Sequence, residues 1–167
     1  RLHDAEGRIA IPGFYDQVRQ WSRTERRQMA RTGPADAQIL RAARSRHSWG
    51  EHDYTLYERT TIRPALTING ITGGYQGAGG KGIIPAQAAA KISFRLVPDQ
   101  DPRRVEQLFR QQIARITPPA VESTLRTYQM AKPALLDRKH PAMQAAVTAY
   151  QRGFGAIPVF LRSGGSI

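Results

Sequence analysis

Arg95 is the residue whose type and setting suggest chemistry most directly. It lies in an alternating run in which Ala88, Ala90, Ile92, Phe94 and Leu96 fall on one side, and Ala89, Lys91, Ser93, Arg95 and Val97 on the other. A guanidinium on the wetter face of a strand suits a carboxylate, which it can grip with two parallel N–H donors. A solvated surface ion pair is the plainer alternative. Just upstream, Gly70, Gly73, Gly74, Gly77, Gly79, Gly80 and Gly82 fall within thirteen residues, with Lys81 among them. Such a loop lets backbone or ligand approach closely. It is a poor nucleotide site: the dinucleotide fingerprint needs a helix after the glycines, and here a second strand follows. Lys81 precedes Gly82 and not Ser or Thr, so it is no phosphate-loop lysine. His47 and His52 are five apart, which is not the spacing that puts two ligands on one helical face. They read as a solvated or packed pair. His140 reads as a helix-start residue. The last feature is a glycine turn over Arg162, Ser163, Gly164, Gly165 and Ser166.

The elements that carry these residues follow from pattern. Residues 66–72 read as a strand, 73–87 as the glycine loop and 88–97 as its partner strand. Asp101 is a natural N-cap and Pro102 suits the first helical position. Val105, Leu108, Phe109, Ile113 and Ile116 then recur at helical spacing. Alternation predicts a strand over 121–129, and a helix follows from His140-Pro141, with Met143, Ala146, Val147, Tyr150 and Phe154 as its apolar stripe. A short strand is expected at 157–161. Ahead of the hairpin, 14–29 reads as a surface helix and a second helix opens at Pro34-Ala35-Asp36. Residues 45–55 read as a loop, and 56–63 as extended. The order predicts an α+β sandwich, an antiparallel sheet with helices on one face.

The chain has 167 residues and no cysteine, so it offers neither disulfides nor a thiolate metal site. It opens at Arg1 and stops at Ile167 inside an apparent motif, so both ends are expected to have been cut from something longer. No apolar run approaches the roughly 18 residues a membrane helix needs. A cytoplasmic setting is the default. The net charge is +12, from 25 Lys and Arg against 13 Asp and Glu. That charge keeps a basic α+β nucleic-acid-binding module as the alternative. The basic residues are scattered, however, and no zinc-finger or RRM signature accompanies them.

"LTINGITGGYQGAGGKGIIPAQAAAKISFRLVP", followed by "LLDRKHP" and "RSGGSI", resembles the lid and dimerisation region of two-metal exopeptidases. These are the carnosine dipeptidases, aminoacylases and succinyl-diaminopimelate desuccinylases, with the cytosolic dipeptidase branch the best match. The resemblance implies a ferredoxin-like lid over 1–161, with a helical insertion over 14–50 and a return to the catalytic domain at 162–167. Its first strand, most of its first helix and a lid histidine would lie ahead of Arg1. It implies a homodimer acting on dipeptides or N-acyl amino acids, with no membrane partner. Arg95 matches the arginine that grips the substrate carboxylate. Lys81 and Gly82 fall in the loop that lies beside the dimer mate's active site. Gly82 stands where the family often has Thr or Asn, so only a backbone amide could serve there. Gly165 and Ser166 match the turn that lines the substrate pocket. Around Gln129 the family histidine is missing. Two divalent metals, zinc or manganese, are implied for the parent and none for this chain, which is expected to be inactive alone.

Overall fold

A computed structural model describes residues 2–164. Its centre is a β-hairpin of β1 (Ala65–Gly73) and β2 (Ala88–Arg95), packed on the long helix α4 (Pro102–Ile116). The strands are antiparallel, with Ala65 opposite Arg95 and Gly73 opposite Ala88. The register slips by one residue between Ile68 and Gly70, leaving Asn69 as a β-bulge. Helix α4 begins as its sequence demands. The Asp101 carboxylate accepts the Arg103 N–H at 3.0 Å, and Pro102 stands in the first turn, where its missing donor costs nothing. Val105, Leu108 and Phe109 are buried from that helix, together with Ile9, Ile11, Phe14 and Leu66. Each such side chain contributes roughly 1.5–3 kcal/mol by leaving water. Phe94 links the two layers, with ring centroids 5.7 Å from Phe14 and 5.1 Å from Phe109.

Between β2 and α4 the chain turns through Asp99, at φ 75°. The buried amide of Gln100 secures that turn. Its Oε1 accepts the Val97 N–H at 3.1 Å, and its Nε2 donates to the Phe14 carbonyl at 3.1 Å. Val97 is itself buried, although the alternation assigns it to the wetter side with Arg95. The strand has ended by then, and the turn rotates Val97 inward.

A second, smaller core lies under three short helices. They are α1 (Arg23–Thr32), α2 (Asp36–Ala42) and α3 (Leu56–Thr61), and their core is Met29, Tyr57 and Ile62 with Trp21 and Ile39 against it. Two sequence expectations change here. The helix expected over 14–29 starts only at Arg23. Phe14 and Val18 are claimed by burial, and residues 11–18 form successive three-residue turns around Gly13 at φ +77°. Ser22 then opens α1 through a capping box, with the Glu25 N–H bonded to Ser22 Oγ and the Ser22 N–H to Glu25 Oε2. Residues 56–61, expected to be extended, are helical. Thr55 and Glu58 form a second capping box that outweighs the strand preference of Thr60, Thr61 and Ile62.

Downstream of α4 the chain is sparsely packed. Residues 121–129 and 157–161, both expected as strands, form no ladder among the described residues, where β1 and β2 pair only with each other. An extended segment becomes a strand only when a neighbour takes its N–H and C=O groups. Leu125 still leans on the main core, and its carbonyl accepts from Arg110 Nη1 at 3.1 Å. Helix α5 (Pro141–Phe154) forms as expected, capped by His140 Nδ1 on the Ala142 N–H and ended by Gly155 at φ +67°. It buries none of its residues, and Phe154 is 74% exposed. The α+β class holds, built here on a two-stranded sheet.

Candidate functional site

Arg95 is exposed at the last position of β2. No ion pair or hydrogen bond engages its guanidinium among the described residues, whereas Arg19, Arg26, Arg63 and Arg110 are all ion-paired. Its position is fixed from across the ladder, where Ala65 opposes it and follows Pro64 and Arg63.

That root is held by a cluster the sequence reading did not single out. Arg63 and Glu51 are both 8% exposed. Arg63 Nε and Nη2 both donate to Glu51 Oε2, at 3.0 and 2.8 Å. The Tyr15 hydroxyl donates to Glu51 Oε1 at 3.2 Å and accepts the Ile9 N–H at 3.0 Å. The Arg63 guanidinium also lies 4.4 Å from the Tyr54 ring centroid and 5.0 Å from that of Tyr15. Burial, reinforced by the Glu51 carboxylate, pushes the Tyr15 phenol above its ordinary range, against the pull of the Ile9 N–H and Arg63. A cleft opens beside the cluster, lined among others by Glu6, Arg8, His52 and Asp53. The cluster is charge-neutral and saturated with partners. It anchors the start of β1 and, through the register, Arg95. A reading for buried pairs could have found it only by knowing that residues 51 and 63 meet.

Lys81 and Gly82 are exposed in the loop at the far end of the hairpin. A Cβ built at Gly79, Gly80 or Gly82 would meet nothing within 4 Å. Lys81 Nζ lies 5.7 Å from the Tyr75 ring centroid. From Ala88 to Arg95 is seven residue steps, about 23 Å of strand. The structure therefore does not bring Arg95 together with the loop within one chain. Gly165 and Ser166, with the end of the expected glycine turn, lie outside the described residues; residues 162–164 rest on α3.

Among the described residues no three His, Cys, Asp or Glu come together in a way that could hold a metal ion. His47 and His52 are both exposed. The residues present do not fit a two-metal centre. No described helix is long and apolar enough to cross a membrane.

Comparison with known proteins finds a match to the M20 peptidase dimerisation domain over residues 2–121. The chain belongs to the M20 peptidase dimerisation-domain family. Relatives of this M20 domain include the Cys-Gly metallodipeptidase DUG1 of Candida albicans, 29% identical over 99% of this chain and 35% of the relative. The Beta-Ala-His dipeptidase of Rattus norvegicus is 30% identical over 63% of the chain and 21% of its own length. Among solved structures, an M20 family metallo-carboxypeptidase from Sulfolobus solfataricus matches with a TM-score of 0.83 at 26% identity, covering 99% of this chain and 37% of that one. The dipeptidase Dug1p of Saccharomyces cerevisiae matches with a TM-score of 0.75, also at 26% identity, over 99% of this chain and 35% of that one. The M20 domain chain thus spans about a third of the length of these relatives, and about a fifth of the Rattus norvegicus dipeptidase. Neither the matches nor the structure supports the nucleic-acid alternative.

Proposed function

We propose that this chain is the lid and dimer-forming part of a metal-dependent dipeptidase or amidohydrolase, in which Arg95 binds the carboxylate of the substrate. The observation that carries this reading is a guanidinium free of internal partners, held in register at a strand end, in an M20 dimerisation domain. Its charge is both available and placed on a strand, unlike the ion-paired Arg19, Arg26, Arg63 and Arg110. The lid would extend over 1–161, with 162–167 leading back to a catalytic part.

The separation of Arg95 from Lys81 and Gly82 favours two subunits serving one pocket. A dipeptide is far shorter than the strand between them, so one chain cannot close both ends on one substrate. In a two-fold pairing that brings the loop of one copy to the Arg95 end of the other, the reverse contact follows, since the same surface is used twice. Ile68, Ile71, Ile83 and Ile84 are exposed on this hairpin and its loop, as such a contact requires. Bond cleavage would fall to two divalent ions, zinc or manganese, held outside this chain. A homodimer in a cytoplasmic setting belongs to the same proposal, with dipeptides or N-acyl amino acids as the substrate class. Gly165 and Ser166 would line the same pocket.

The test is kinetic. In the full-length protein with bound metal, Arg95→Ala is expected to raise KM for cysteinylglycine about 10- to 100-fold, the worth of charge-assisted hydrogen bonds. Arg95→Lys should recover only part of the loss. Unchanged KM in Arg95→Ala removes the assignment.

A further inference from the structure

The C-terminal turn is tied to the helical insertion by one residue that neither the sequence nor the family match singles out. Tyr57 stands in α3 with its ring in the second core, flat against Gly33, where any side chain would collide with it. Its hydroxyl reaches a segment 105 residues away. It accepts the Arg162 N–H at 2.8 Å and faces the Arg162 carbonyl at 3.2 Å, to which it donates. One phenol thus satisfies both backbone groups of a single residue. The Arg162 side chain is held as well. Its guanidinium lies 4.0 Å from the Trp21 ring centroid, on a ring that Arg19 also approaches at 4.5 Å. Two residues on, Gly164 sits against the last turn of α3, where a Cβ would strike the Thr60 carbonyl oxygen.

These contacts are unusual in their surroundings. Residues 155–159 run largely exposed from α5, so the chain reaches this point with few other attachments. A contact that closes so long a loop must offset the chain entropy it removes. Here a rigid aromatic, a cation on a second aromatic and a glycine fitted to a helix backbone act together.

We propose that Tyr57, with Trp21 and Arg162, is a positioning latch that sets where residues 162–164 stand against α3, so that the helical insertion governs substrate binding in the pocket this end of the chain serves. This rests on the dipeptidase reading above. Tyr57 touches no substrate; it acts through the backbone of Arg162.

Two measurements on the full-length protein decide it. Tyr57→Phe keeps the ring in its core and removes only the hydroxyl. Hydrogen exchange at the Arg162, Ser163 and Gly164 amides is expected to accelerate about 10-fold, with little change at α1. With cysteinylglycine as substrate, KM is expected to rise about 3- to 10-fold with kcat kept within about 2-fold, the worth of one or two hydrogen bonds. Gly164→Ala, which pushes this segment off α3 from the other side, should give the same split. Unaltered exchange in Tyr57→Phe overturns the latch. Faster exchange with unaltered KM overturns its role in positioning. A wild-type protein inactive on dipeptides defeats the functional reading instead, and the exchange experiment still decides the latch.

Discussion

Removing the Glu51 carboxylate should be among the most damaging single changes in this chain. The substitution is Glu51→Gln, which keeps the volume and leaves Oε1 to accept from Tyr15. What it removes is the charge facing Arg63, whose two N–H groups lie 2.8 and 3.0 Å from Oε2 in a site where both residues are 8% exposed. An unpartnered buried charge costs about 3–5 kcal/mol, because the ion was desolvated on the strength of its partner. For a domain of this size that corresponds to a fall in Tm of about 6–20 °C. Replacing both members, Glu51→Leu with Arg63→Met, removes the charge and its counter-charge together and should lie within about 2 kcal/mol of wild type. Urea unfolding followed by tryptophan fluorescence reads the wild type, both variants and the singles Glu51→Leu and Arg63→Met. The double-mutant cycle isolates the coupling. A loss below about 1 kcal/mol in Glu51→Gln would refute the argument, since it would mean water reaches the pair in the folded chain.

Other outcomes follow from single contacts. Gln100→Leu leaves the Val97 N–H and the Phe14 carbonyl without partners and should cost about 1–3 kcal/mol in the same unfolding assay. Ser22→Ala removes the side-chain cap of α1 and should cost about 1 kcal/mol, with Ser22→Thr nearly neutral. Burial alone would raise the Glu58 carboxyl, but the Arg26 guanidinium and the Thr55 N–H and hydroxyl together hold it below its ordinary value. A depressed folded pKa contributes stability that is present above the unfolded carboxylate value and lost as pH falls through the folded one. Stability should therefore decline with acid below about pH 4.3, and Glu58→Gln should flatten that decline; an unchanged acid limb would count against the Arg26 pairing.

The hairpin, α4 and α5 were legible because their signals are local. Period-two alternation, an Asp-Pro helix start and an apolar stripe at helical spacing need no knowledge of distant residues. At α3 two local signals conflict: β-branched Thr60, Thr61 and Ile62 favour a strand, and the Thr55–Glu58 capping box, also visible in the sequence, favours the helix that forms. The errors at 121–129 and 157–161 are of another kind. Alternation describes a chain ready to pair, and pairing depends on a neighbour that no local pattern supplies. The exposure of Arg95 on its strand could be read from the alternation. Its distance from Lys81 and Gly82 could not be judged until the register was known. Glu51, Arg63 and Tyr57 were missed because their partners lie 12 to 105 residues away.

The bulge at Asn69 has a consequence for the whole ribbon. On β2 the even-numbered residues Phe94, Ile92 and Ala90 face one way, and their partners on β1 are Leu66, Ile68 and Ile71. Were Asn69 paired in the ladder, Gly70 would take the place of Ile71 opposite Ala90 and the greasy row would stop at Ile68. One asparagine left out of the ladder keeps that row in phase and carries it outward to side chains 51% and 70% exposed. Deleting Asn69 would therefore straighten the ladder and leave Ile71 opposite Ala90, whereas pairing Asn69 with Lys91 would turn the outer half over, exchanging an oily rail for a row of threonine and glycine.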